Sequence, residues 1–362
     1  MLTRTLRNAL AITAGMLTTL SVAYADNFTL RIGSGHPSGP TVYVTEMEKF
    51  FVPEVTKRVK ARTSHTVNFV EAWGGTVAKV NETLSAVESG LLDIGGYCVC
   101  FEQSKLPMHN FPYWVPFGPT SSVAALNATR KVYAQFPQLN ETLERRHQQR
   151  LLAVTGFDNY HLGTTFPWEK LTDLKGRKIG AVGVNMPWLQ GSGAVGVMSG
   201  LPDMYNSMKS GVFEGVIMFP SSYLGFKFFE PAPHLKLTNF GAVMVVTVTM
   251  NNRSFNRLPP EVRNIIVEVA REYEDRVAAA LDAGNKNALD RLASAGTKIT
   301  SITDQARREW AEGIKDWPNR MAKDVDKQNL PASELMRAYL RHLRADGWTP
   351  PAESVSYTHL RA

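Results

Sequence analysis

From Leu171 to Pro260 the chain reads LTDLKGRKIGAVGVNMPWLQGSG, then LPDMYNSMKSGVFEGV, and later TMNNRSFNRLPPEVRNIIVEVA. A strand, a Gly-rich loop, a helix, a second short strand and a long helix follow one another there. That order confines the fold to an open α/β domain in which loops at the strand ends hold a small molecule.

Upstream, Leu30 to Gly33 begins a strand that the glycines and prolines of SGHPSGP break into a loop. A helix is expected from Val42 to about Lys60, an alternating strand over Thr66–Ala72, and a helix over Ala78–Gly90 with Leu84 and Val87 facing inward. LPMHNFPYWVPFG, from Leu106 to Gly118, suits a loop packed over a cavity. Val123 to Arg150 reads as helix and Leu151 to Phe157 as strand. Met244 to Met250 is an apolar, β-branched strand. Pro259 to about Leu292 is a long helix with Glu261 in its first turn, followed by helices from about Thr303 to Lys327 and Ala332 to Arg344.

Arg4 and Arg7 precede the apolar run Ala9–Val22, and Ala23-Tyr24-Ala25 places small residues where a signal peptidase cuts. This predicts a cleavable signal peptide over residues 1–25, a mature chain from Asp26 and a periplasmic address. The run is shorter than the roughly 20 apolar residues a membrane span needs, and Thr13, Thr18, Thr19 and Ser21 interrupt it. The 362 residues, 44% of them hydrophobic, suffice for two domains with sizeable cores. The formal charge of +7 falls to +5 once Arg4 and Arg7 leave, and the remaining basic residues are scattered over helical faces, so nucleic acid is not an expected partner. Past Pro350-Pro351, SYTHLRA (Ser356–Ala362) has no periodic relation to what precedes it and reads either as an appended artefactual fragment or as an ordinary disordered terminus.

Motifs for catalysis are missing: there is no HExxH, GxSxG or Walker loop and no paired metal-ligand spacing, and GSGAVG at 191–196 matches a dinucleotide fingerprint only loosely. No catalytic residue, metal or cofactor is therefore expected. Cys98 and Cys100 in YCVCF would alternate faces in an extended strand, which makes buried thiols the expected reading, with a strained or transient disulfide in an oxidising periplasm as the alternative.

The order of several short motifs carries a resemblance. They are Asp173-Leu174-Lys175-Gly176 with Lys178-Ile179, then Tyr205 ahead of Gly211-x-x-Glu214-Gly215, then Asn251 ahead of Leu258-Pro259. VEAWGGTVAKVNETLSAVESGLLDIGG, from Val70 to Gly96, adds a Gly-rich loop, a helix and an Asp-Ile-Gly strand. The chain resembles the periplasmic solute-binding proteins of TRAP transporters, the DctP-like family, over most of residues 28–330. The resemblance implies an α/β, two-domain periplasmic binding protein fold with a long helix spanning both domains. Domain I would take residues 26–156 and 245–285, domain II 157–244 and 286–348, with 349–362 a tail. It also implies a small-molecule organic acid as ligand and integral membrane subunits of a TRAP transporter as partners.

One position departs from the family pattern. Gly180 stands where the family has an Arg that grips a substrate carboxylate. The loops expected to converge on the cleft supply His36 and Ser38, Trp73, Tyr97 and Phe101 from the first domain. Tyr160, His161, Gly180, Asn185, Trp188, Met218, Phe219 and Ser222 come from the second. Aromatic and apolar surface replaces charge, which favours an aromatic or otherwise bulky carboxylate held by a few oriented donors. A binding protein that feeds a sensor kinase, and an exported enzyme, are the alternatives.

Overall fold

The computed structural model describes residues 26–352, so the expected signal peptide and the tail from Glu353 lie outside the described residues. Among the described residues nine strands form one sheet: β1 (Asn27–Gly33), β2 (Thr66–Ala72), β3 (Ile94–Cys98), β4 (Gln149–Thr164), β5 (Lys178–Ala181), β6 (Val195–Met198), β7 (Gly215–Met218), β8 (His234–Asn251) and β9 (Lys298–Ser301). The order is β2-β1-β3-β8-β4-β7-β5-β6, with β9 beside β8. β1 lies parallel between β2 and β3, and β5 parallel between β6 and β7. These two parallel groups are the α/β lobes, and the antiparallel pair β4 and β8 joins them.

The joining strands are longer than their sequence suggests. Leu151–Phe157 and Met244–Met250 are the apolar ends of strands of 16 and 18 residues. Asp158, Asn159, His161, Lys236 and Thr238 interrupt the apolar pattern, yet all are buried. Most find partners: Asn159 accepts from the Gly241 amide and donates to Asn239, and Lys236 reaches the Glu169 carboxylate at 3.2 Å. Burial of polar groups is tolerated where hydrogen bonds replace water, so polarity marks no strand end here.

The helix Pro260–Ser294 has 35 residues, about 52 Å at 1.5 Å per residue. Val262, Ile265, Ile266, Val269, Tyr273 and Val277 recur at helical spacing on its buried face. It packs on the helices Val42–Glu46 and Val52–Arg62 of one lobe and on Pro220–Gly225 and β9 of the other, so it spans both. Glu274 fastens it to β4: one oxygen accepts the Val154 amide at 2.6 Å and the other pairs with Arg130. That amide lies on the side of β4 where β7 does not reach, since β7 pairs only with His161–Thr164.

Several expected helices are broken. Val42 to Arg62 contains a π turn at Met47–Phe51, and the helix expected over Val123–Arg150 stops at Gln135 ahead of Pro137 before a short helix and a π turn, Thr142–Arg146. Thr303 to Lys327 is two helices, Asp304–Gly313 and Trp317–Asp326. The aromatic segment expected as a loop coils into a fully buried 3-10 stretch, Met108–Trp114. Among the described residues no helix is long and apolar enough to cross a membrane.

Candidate ligand-binding site

The strand ends and loops of the two lobes meet around a small aromatic cavity. β1 delivers the loop that carries His36, and this loop passes the next one so closely that a Cβ on Gly35 would sit 2.3 Å from the Val80 amide nitrogen. Only glycine fits there. The 3-10 turn Val99–Phe101 after β3 brings Cys100 and Phe101, and the buried segment Met108–Trp114 brings Tyr113. β4 supplies Phe157 and Tyr160, and β7 ends in Met218 and Phe219. Val182 after β5 and Leu201 at a helix start complete the wall. The enclosed space is about 10 Å³, room for about one water molecule.

Ring packing sets the cavity's shape. Phe157 and Phe219 stack with centroids 4.8 Å apart, and Tyr160 meets Phe219 edge-on at 5.0 Å. The Tyr113 and Tyr160 hydroxyls bond each other at 3.0 Å, and burial holds both phenols protonated, with pKa values above the ordinary tyrosine range. No lysine or arginine lines this cavity among the described residues. Its polar feature is His36. Nδ1 of the ring lies 2.8 Å from the Tyr43 hydroxyl, which lies 2.9 Å from Ser34 Oγ, while Nε2 is buried with no hydrogen-bond partner. Burial lowers the His36 pKa to about 4, so the imidazole is neutral at pH 7.

A wider vestibule of about 580 Å³ adjoins this cavity and shares Cys100, Phe101 and Val182 with it. Asn81, Gln103, Ser199, Asp203 and Ser207 make it polar. The Phe101 ring therefore stands where the polar entrance passes into the apolar interior. A third depression, about 420 Å³, lies between the long helix and β4, but its arginines are already paired: Arg130 with Glu274 and Asp275, Arg271 with Glu274. It lies away from the converging strand ends.

Of the residues expected in the cleft, His36, Phe101, Tyr160, Met218 and Phe219 come together on the cavity wall. The others do not line it. Trp73 lies near the surface with its indole on the Glu71 carboxylate, 3.0 Å away. Tyr97 belongs to the interior of the first lobe, where its hydroxyl donates to Gln149 at 3.0 Å. His161 follows Tyr160 on the opposite face of β4 and accepts the Asn239 amide; burial lowers its pKa to about 3. Trp188 packs behind Tyr113 and Tyr160 and donates to the Tyr113 carbonyl at 2.8 Å. Ser222 bridges the lobes through the Pro40 carbonyl at 3.2 Å. Asn185 is wholly buried just past Val182, and neither polar atom of its side-chain amide has a partner.

Gly180 requires a correction. A Cβ built on it would sit 2.5 Å from the Phe213 ring, in the packed interior of the second lobe, and the position does not line the cavity. Ser38 likewise turns away, onto the Glu48 carboxylate. The Gly-rich turn Gln190–Ala194 leads into β6, and the Ser192 hydroxyl is spent on the Leu189 carbonyl. Cys98 and Cys100 are joined by a disulfide, their Cα atoms 5.1 Å apart. The chain leaves the extended conformation after Cys98, in the 3-10 turn Val99–Phe101, so the two side chains do not point to opposite faces.

Sequence patterning does not single out Cys100, Tyr113, Val182 and Leu201 as lining, and it makes Phe157 a crossing between the lobes rather than a contact. YWVPF carries a usable signal for Tyr113, since an aromatic Pro-rich segment suits a cover over a cavity. Val182 and Leu201 carry none, because a lone aliphatic side chain reads as core.

Bacterial extracellular solute-binding protein family 7, DctP, matches residues 46–324. The chain belongs to that family. A solute-binding protein of Albidiferax ferrireducens is 23% identical over 326 residues, 87% of this chain and 92% of its own length. Among solved structures, a TRAP solute-binding protein from Rhodoferax ferrireducens in complex with copurified benzoate superposes with a TM-score of 0.78 at 17% identity, covering 88% of this chain and 98% of that one. A TRAP periplasmic solute-binding protein from Sulfitobacter with bound β-D-galacturonate gives 0.70 at 16% identity, covering 86% and 99%. One fold thus holds ring acids of opposite polarity, and the two-lobed α/β architecture is the same in all three structures.

Proposed function

We propose that this DctP-family protein is the periplasmic receptor of a TRAP transporter, and that it captures an organic acid with an aromatic or otherwise bulky apolar body and delivers it to integral membrane subunits. The observation that carries the ligand class is the cavity wall, where rings, Met218, Val182 and Leu201 surround a single neutral histidine. Burial against such a wall favours a hydrocarbon ring over a polyhydroxylated one, because each sugar hydroxyl would need a partner that the wall lacks. His36, Phe101, Tyr160, Met218 and Phe219 are the proposed contacts, and the free amide of Asn185 is a further donor within one loop of them. The lobes correspond to residues 26–156 with 245–285 and 157–244 with 286–348, and they part to admit the ligand.

A thermal-shift comparison tests this reading. A ligand that binds only the folded protein stabilises it by about 2.7 kcal/mol at a hundredfold excess over Kd. Benzoate and mandelate are expected to raise Tm more than succinate, malate or galacturonate do at equal concentration. Preferential stabilisation by galacturonate or a C4 dicarboxylate would overturn the aromatic reading. Mass spectrometry of small molecules released on denaturing the purified protein identifies the ligand independently.

A further inference from the structure

A carboxylate entering this cavity meets no fixed positive charge, and an anion buried without a counter-charge is strongly disfavoured. The group that can supply one is the imidazole of His36, a ring of the cavity wall that is anchored through Nδ1 and whose Nε2 is buried and unpartnered. We propose that the receptor captures its acid together with one proton, held between the ligand carboxylate and His36 Nε2. This rests on the receptor reading above and assigns to His36 the place that a clamping arginine takes in the resemblance.

The hydrogen-bond chain behind the ring accommodates the charged form. Nδ1–H donates to the Tyr43 oxygen and the Tyr43 hydroxyl donates to Ser34 Oγ, which leaves the Nε2 lone pair to take a proton. The balance is simple: a neutral imidazole, a carboxylate and one proton from solvent give an imidazolium–carboxylate pair with no net charge and no bond to carbon changed. Without ligand, desolvation keeps His36 neutral down to about pH 4. The titratable groups around it do not compete for that proton. Tyr43 on its own loop's following helix, Tyr113 on the 3-10 segment and Tyr160 on β4 stay protonated through the neutral range, and Cys100 is in the disulfide. Asp158, next to Phe157 on β4, itself titrates near pH 7, but its carboxyl is taken by Ser221 and Asn285 and is not on the cavity wall, so any contribution from it appears with benzamide as well; Glu102, beyond Phe101, pairs with Lys105 at 2.9 Å.

Linkage between proton and ligand sets the direction of the pH effect. Free His36 and a free carboxylic acid both titrate near pH 4, so above that pH the complex binds one proton more than its parts. Affinity should therefore fall about tenfold for each pH unit until the complex itself loses the proton. A fixed cation in place of His36 would give no such slope.

Titration calorimetry with benzoate, run from pH 5.5 to 7.5 in phosphate and in Tris-type buffers of different ionisation enthalpy, reads the uptake directly. Close to one proton per benzoate and the tenfold slope are expected. Benzamide, which is uncharged, should bind without proton uptake and without a pH slope. His36→Gln should abolish uptake and flatten the benzoate slope. Should that variant fail to fold, the nitrogen-15 shifts of His36 in the wild type, moving to imidazolium values when benzoate is added, give the same information. Benzoate binding with no proton uptake and no slope would overturn the proposal and leave the receptor reading standing. Failure of benzoate, mandelate and benzamide alike, with binding of galacturonate, would overturn both.

Discussion

Gly180 shows how much a single missing side chain means at one position and how little its motif says about the reason. In the resemblance, its lack of an arginine is a statement about the ligand. In the structure it is a statement about packing, because the Phe213 ring occupies the space over its α-carbon. Even a methyl group there must displace a buried ring. Gly180→Ala is expected to lower stability by about 1–3 kcal/mol, the usual range for overpacking a core, measured as a shift in the denaturation midpoint in urea. Combining it with Phe213→Leu should recover part of the loss; a single variant as stable as the wild type would show that the ring yields freely. His36 is the converse case. Its place in SGHPSGP gave it to the site from sequence, and its neighbours gave it a neutral state and a free Nε2.

At the scale of elements, β4 and the long helix share a buried carboxylate at the point where the strand is least regular. The β4–β8 register slips between Thr155, Phe157, Tyr160 and Leu162. Asp158 lies within that stretch, its oxygens taking Ser221 Oγ at 2.8 Å and the Asn285 amide of the long helix at 3.3 Å. Burial raises its pKa to about 7 against these hydrogen bonds, which lower it. In the unfolded chain the group releases its proton near pH 4, while in the fold it keeps it to about 7. Between those values the native state holds the extra proton, so this group's contribution to stability is largest at low pH, declines as pH rises from about 4 to 7, and is gone above. Asp158→Asn is expected to remove that decline. The variant should be more stable than the wild type at pH 8, by up to about 4 kcal/mol, the free-energy equivalent of a carboxyl pKa raised from about 4 to about 7. Thermal denaturation of both proteins from pH 4.5 to 8.5 checks this; parallel curves would place the Asp158 pKa near that of an exposed carboxylate.

For the whole molecule, a cavity with room for about one water is too small for an acid the size of benzoate, so the site must widen to admit one, and separation of the lobes is the expected way. The irregular stretch of β4, facing Gly241 and Val243 on β8, is where bending would be absorbed. The long helix, bonded to both lobes, limits how far they part. Small-angle scattering is expected to give the free protein a larger radius of gyration than this structure, contracting towards it on saturation with a cognate acid. An identical radius in both states, with binding proven by calorimetry, would mean that the cavity expands by side-chain motion alone.

Local chemistry alone determined the α/β class, the strand Thr66–Ala72 and the long helix with its proline start, because periodicity and turn residues act over a few positions, while the family was legible through the resemblance of its short motifs. It also placed half of the residues of the cavity wall, since loops at strand ends converge in any such fold. Tertiary structure alone decided the rest. It extended β4 and β8 through polar residues by giving them buried partners, closed a disulfide at Cys98 and Cys100 by bending the chain, and turned Trp73, Tyr97, His161, Trp188 and Ser222 away from the cavity. Which face of a strand a side chain occupies, and what already fills the space in front of it, depends on residues distant in sequence. For that reason Val182 and Leu201 could join the site unannounced, while Gly180 could fall out of it behind one phenylalanine.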